Sequence, residues 1–190
     1  MENEVLKECL TLMSQMREER FKAASLLREY PDSIPILLEM IIKDDEEYGL
    51  RGGWALDLAL QKDLHLILPS LDKFCDGLLK LTNESAIRAF AKICEALLIA
   101  YFQKMDKPVI NCLKPEHMET MTEACFDWLI GDHKVAAKAF AMTSLYELGK
   151  EYDWVHPELK IILQRDYEEG SAGFRSRARK VLDKLKNSSA

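Results

Sequence analysis

The sequence predicts an all-α protein, and three observations carry that prediction. Apolar residues recur at spacings of three and four almost everywhere, the period of one helix face. No alternation of Val, Ile, Thr and aromatics lasts more than a few residues, so no strand is left over. Short motifs of apolar, basic and small residues also recur along the chain, at offsets that suit pairs of helices.

Taken in order, the first half predicts helices near 3–15, 18–30, 33–43, 45–61 and 69–81. Segment 33–43 is apolar nearly all round, which predicts packing on more than one side. The clearest helix runs from Glu84 to about Met105, with Asn83 as N-cap and Ile87, Phe90, Ala91, Cys94, Leu97, Leu98 and Tyr101 on one face. Pro115 opens the next, to Ile130, on the face Met118, Met121, Cys125 and Leu129. A helix over about His133–Gly149 follows, with Asp132 as its cap and Gly149 as its stop. The last two cover about Val155–Tyr167 and Ser171–Lys186; these ten segments are read as an array of about nine helices. Pro31, Pro35, Pro69, Pro108, Pro115 and Pro157 each lie near a helix start or between helices, where proline is tolerated.

Four helices share an opening. Ile87-Arg88-Ala89-Phe90-Ala91 matches Ala137-Lys138-Ala139-Phe140-Ala141 at an offset of 50. Phe174-Arg175-Ser176-Arg177-Ala178 lies 37 residues further on, and Leu50-Arg51-Gly52-Gly53-Trp54 lies 37 before the first. Equal offsets with one longer interval describe helical hairpins with one enlarged loop, here placed around Asp106 to Lys114. An apolar-basic pair opening the second helix of each unit resembles the HEAT or armadillo-like repeat. The resemblance implies a right-handed α-solenoid of one domain over 1–190. It would have a capping hairpin at 1–30, about four units over 31–186, and a disordered tail at 187–190.

The composition excludes several function classes. The 190 residues carry a formal charge of −6, all of it in residues 1–95, while the stretch from Arg175 to Ala190 has six basic residues and one acid. The acidic start lacks the basic and apolar regions of a signal peptide, and no apolar run approaches the roughly 20 residues that span a bilayer. A cytoplasmic protein with no membrane association is expected. Cys9, Cys75, Cys94, Cys112 and Cys125 are odd in number and widely spaced, so neither a disulfide framework nor a zinc knuckle is expected.

No motif carries catalysis. Gly52-Gly53 is followed by Trp54 rather than by Lys and Ser or Thr, so close helix packing is its expected role. His65, His117, His133 and His156 form no metal-binding pair, and His117 at a helix start predicts a surface position. Cys94 and Cys125 sit on apolar stripes, which predicts burial. No catalytic residue, metal or cofactor is expected. In a HEAT-like array the second helices line the concave surface and bind protein partners. That places the candidate binding residues at Arg51, Trp54, Asp57, Arg88, Lys92, Glu95, Lys138, Arg175 and Arg179.

Two alternatives stand beside this interaction-module reading. Some HEAT-like proteins are alkylpurine DNA glycosylases. Trp54 with Asp57, Asp127 with Trp128, and the basic residues Arg175, Arg177, Arg179 and Lys180 resemble that chemistry at the level of residue types. The acidic net charge disfavours a nucleic-acid partner. The stretches 125–130, 134–139 and 152–159 are similar to a group of short bacterial proteins, some of which bear the name adenylosuccinate lyase. That enzyme class uses a Met-Pro-x-Lys-x-Asn signature, and no such string occurs here.

Overall fold

The computed structural model describes residue 10 and residues 17–43 and 48–188. The helix expected over 3–15, the first residues of the one expected at 45, Cys9 and the last two residues lie outside the described residues. Within the described residues the chain is helical throughout, without a strand. Ten α-helices follow in order: α1 (Arg17–Glu29), α2 (Ile34–Ile42), α3 (Tyr48–Leu60), α4 (Leu71–Leu78), α5 (Glu84–Phe102), α6 (Lys107–Cys112), α7 (Pro115–Ile130), α8 (Val135–Leu148), α9 (Val155–Arg165) and α10 (Ala172–Ser188). Short 3-10 segments at Pro31–Ser33 and Leu64–Ser70 join them. No described helix is long and apolar enough to cross a membrane.

Local chemistry explains most boundaries. The Asn83 side chain accepts from the backbone N–H groups of Ser85 (2.9 Å) and Ala86 (3.3 Å), capping α5. Pro69 falls in a 3-10 segment, so α4 begins at Leu71, two residues later than expected. The enlarged loop expected around Asp106–Lys114 instead holds a helix, α6. Its cap is Asp106, which accepts from Val109 N–H at 3.3 Å. Asp132 does not cap α8, whose N-cap position is Lys134 and carries no side-chain cap; Glu84 reaches across from α5 and accepts from the Lys134 N–H at 3.0 Å, just ahead of the helix. Gly149 ends α8 in an ordinary right-handed conformation. It is glycine because the His156 ring packs where its Cβ would stand, with ring atoms 1.9–2.6 Å from that position.

The helices pack in two rows. One row runs α1, α3, α5, α8, α10, each packed on the next. The other runs α2, α4, α7, with α9 against α8 and α10. Neighbours within a row are parallel. In the first row Arg20 stacks on Trp54, Asp57 pairs with Lys92, and Arg177 bonds Thr143, at separations of 34 or 35 residues. In the second, Lys73 reaches the Pro35 carbonyl, and Asp72 binds Lys114 and His117. Between α5 and α8 the separation rises to 49–50 residues, and the added length is the stretch that carries α6. Parallel neighbours 34–50 residues apart require a return helix between them, so each row exists because the other brings the chain back. The apolar faces of both rows form one continuous core, from Leu27 and Leu37 through Phe74 and Phe90 to Leu145 and Leu185.

Gly52 and Gly53 illustrate how tight the packing is. A Cβ on Gly52 would stand 2.9 Å from Leu37 and Ile41 side-chain carbons, whereas one on Gly53 would meet Ala89 at an ordinary 3.4 Å. Neighbouring substitutions therefore have opposite signs. Gly53→Ala gains helix propensity and is expected to stabilise by about 0.5–1 kcal/mol. Gly52→Val overpacks the α2–α3 contact and is expected to cost about 1–3 kcal/mol. Urea unfolding of the two variants measures both.

Candidate functional site

The face formed by α3, α5, α8 and α10 carries the residues expected to bind a partner. Arg177 on α10 donates to Glu95 on α5 at 2.9 Å and to Thr143 on the intervening α8 at 2.6 Å, so one long side chain ties three helices of the row together.

Most of the expected residues on this face are spent on bracing it. Asp57 is 8% exposed; Lys92 Nζ lies 2.9 and 3.0 Å from its two oxygens, and Gln61 donates to it at 3.0 Å. Glu95 is held by Arg177. The Arg20 guanidinium lies 3.6 Å over the Trp54 ring, and Arg51 donates to the Leu10 carbonyl at 3.3 Å. Arg175 is turned onto its own end of the chain, donating to the carbonyls of Gly170 (2.7 Å) and Glu168 (3.4 Å). Arg179 donates to the Tyr167 hydroxyl at 3.1 Å. The Arg88 and Lys138 side chains make no hydrogen bond or ion pair among the described residues. Arg165 holds the Asp166 carboxyl below the usual range, with Lys138 a weaker contributor. The structure thus joins Asp57 to Lys92 and leaves Arg88, Lys138, Arg175 and Arg179 dispersed along the row. A cavity of about 500 Å³ opens beside Lys92 and Glu95, lined also by Gln61, Lys62, His65 and Asp106. Its charges are mixed in sign.

Each of the four histidines joins two elements. His65 Nε2 donates to Asp106 (3.0 Å), His133 Nδ1 to Glu84 (2.6 Å) and His156 Nε2 to the Tyr146 carbonyl (2.8 Å). His117 is buried, contrary to the surface position expected from the sequence. Its Nδ1 accepts from Lys114 N–H at 3.2 Å, closing the start of α7, so Nε2 carries the proton that it donates to Asp72 at 2.7 Å. Burial, and after it the Asp76 and Asp72 carboxylates, pushes the Cys75 thiol up to about 12. Burial likewise raises Cys94 far above the ordinary thiol range. Cys94 and Cys125 are fully buried, as their apolar stripes predict. Thiols so protonated are poor nucleophiles at neutral pH. No group of three metal-ligating side chains exists among the described residues.

A second surface was not legible in the sequence. An apolar groove of about 620 Å³ lies between α7 and the α8–α9 connection. Phe126 and Trp154 stack along it, with centroids 5.4 Å apart and planes 20° from parallel, and Trp154 remains 55% exposed. Tyr152 flanks them. Burial first, then the Glu119 and Glu151 charges, raises its phenol pKa. Along α7 the groove is edged by Glu119, Glu123 and Asp127, at intervals of four residues and so on one face of the helix. Those three carboxylates make no ion pair among the described residues. Asp127 is exposed at the groove, whereas the adjacent Trp128 is buried in the core. The regular spacing of the acids was the one sequence signal; Trp154, 27 residues beyond Asp127, joins them only through the fold.

Two outcomes follow for the charged pairs. Lys92→Met strands a nearly buried carboxylate and is expected to cost about 2–3 kcal/mol. Adding Asp57→Asn should recover about 1 kcal/mol or more of that loss in a double-mutant cycle, read by urea unfolding. The second outcome is set by pH. The His117 hydrogen bond, then the Lys114 one, holds the Asp72 carboxyl below its usual range; the His65 hydrogen bond does the same for Asp106. A lowered carboxylate stabilises fully above its unfolded pKa, near about 3.9, and the contribution is lost as pH falls through the folded value. The unfolding midpoint should therefore fall less steeply from about pH 5 to about pH 2 in an Asp72→Asn/Asp106→Asn double variant than in the parent. Comparison with protein families, with curated proteins and with solved structures finds no match to this chain.

Proposed function

We propose that this chain is a non-catalytic HEAT-like repeat protein, a short right-handed α-solenoid that acts in the cytoplasm as a protein-interaction module. The parallel rows, with neighbours one hairpin apart, support the repeat reading. The described histidines join elements, and the Cys75 and Cys94 thiols are buried and protonated, which supports a structural role for them. The single observation that carries the binding role is the groove at Phe126, Tyr152 and Trp154. Apolar aromatic surface is costly to expose, and a half-exposed Trp in a groove is the residue type that anchors protein interfaces.

The glycosylase-like alternative draws less support. Arg175 and Arg177 are turned inward onto protein acceptors, Asp57 is neutralised by Lys92, and Trp128 is buried away from Trp54.

The expected outcome is that the native chain, used as bait in an extract of its source organism, retains a specific protein. A Trp154→Ala bait should lose that protein while its melting temperature is unchanged. Retention of the same proteins by both baits would remove the groove as the binding surface. Purified chain is expected to release no fumarate from adenylosuccinate; release above a boiled control would replace the interaction reading with a lyase.

A further inference from the structure

Granted that the groove at Trp154 is a binding surface, its chemistry specifies what it binds. We propose that its occupant is a basic segment of a partner protein, one that presents Lys or Arg side chains beside an apolar or aromatic anchor.

Charge complementarity is the first argument. Glu119, Glu123 and Asp127 edge the groove, and no Lys or Arg lines it. The surrounding chain reinforces this: residues 115–133 contain five acids and no Lys or Arg, and Glu151 and Asp153 flank Tyr152 and Trp154 on the opposite edge. Several carboxylates of this protein are paired with cations, as Asp57 is with Lys92, Glu95 with Arg177, and Asp72 with Lys114. The three at this apolar groove have no such partner among the described residues.

Spacing is the second. Carboxylates four residues apart on α7 recur about every 6 Å along the helix axis. Alternate side chains of an extended peptide recur about every 6.6 Å on one side. A segment with Lys or Arg at alternate positions can therefore meet the acids in register, while its intervening backbone lies over the apolar floor. The third argument is the floor itself. Trp is the strongest cation–π acceptor, and Arg in particular stacks on it. The stacked Phe126–Trp154 pair supplies an aromatic platform within reach of the acidic edge, so one Arg can be held by ring and carboxylate together. An acidic or neutral segment would meet three carboxylates at the edge and leave them without counter-charge.

The test is selection of random dodecapeptides on phage against the full chain, with the Trp154→Ala variant as counter-target. Fluorescence anisotropy then measures the selected peptides. Trp154 is largely outside the core, and circular dichroism and the melting temperature verify that its variant folds. Selected peptides should carry at least two Lys or Arg beside an apolar residue. Their affinity should fall by about tenfold or more in Trp154→Ala and in Glu119→Lys/Glu123→Lys. It should also fall as NaCl rises from about 50 to about 300 mM, because the charges are exposed. Neutral or acidic peptides that lose binding in Trp154→Ala overturn the basic-partner proposal and leave the interaction-module reading standing. Peptides that bind both proteins equally overturn the groove as the site. A library that yields no binder to the chain overturns the module reading as well. Sedimentation adds one arm: a dimer of the native chain dispersed by Trp154→Ala assigns the groove to a second copy and overturns the proposal.

Discussion

The structure depends on the joint between α5 and α8. This is the most extensive helix pair among the described residues, and it connects the row α1–α3–α5 to α8 and α10. A carboxylate pins it at each end. At the N-terminal end Glu84 of α5 takes the ring N–H of His133 and the backbone N–H of Lys134. At the C-terminal end Glu147 of α8, wholly buried, accepts from Gln103 at 2.6 Å and pairs with Lys150. The two clamps fix register and direction together, because each joins like ends of the two helices. Glu84 thereby also anchors the residue just ahead of α8. The stretch that carries α6 lies in the connection across this same joint.

The polar residues of the face formed by α3, α5, α8 and α10 gain their meaning from that packing. Arg177 of α10 reaches over α8 to Glu95 of α5, and the nearly buried Asp57 of α3 takes Lys92 of α5. Nearly buried charges must be paired, so the charged stripe of α3, α5 and α10 becomes a set of cross-braces. A charged residue on one of these helices is thus no sign of a ligand when the next helix of the row carries the opposite charge. The aromatic groove differs in both respects. Its acids lie on a single helix with no opposing cation, and its aromatic rings face solvent.

The sequence alone settled the helical class and most of the helices. Periodic apolar faces, Asn83 as a cap and Pro115 at a first turn are signals that each segment carries within itself. Where the reading departed from the structure, the missing information was most often a contact between segments. His117 looked like a surface residue because Asp72, 45 residues earlier, is invisible in its neighbourhood. Asp132 looked like a cap because Glu84, which takes the Lys134 amide, lies 50 residues away. The stretch 106–114 looked like a loop because a helix of six residues offers too short a period to recognise.

The candidate site divides the same way. The sequence determined which side chains exist and which helix face each occupies, because helical geometry is local. Only the tertiary structure decided their roles, since pairing and exposure depend on what packs opposite. It turned Asp57, Lys92, Glu95 and Arg177 into braces by setting α3, α5, α8 and α10 side by side. It made a groove by setting Trp154 on Phe126 beside three unpaired carboxylates.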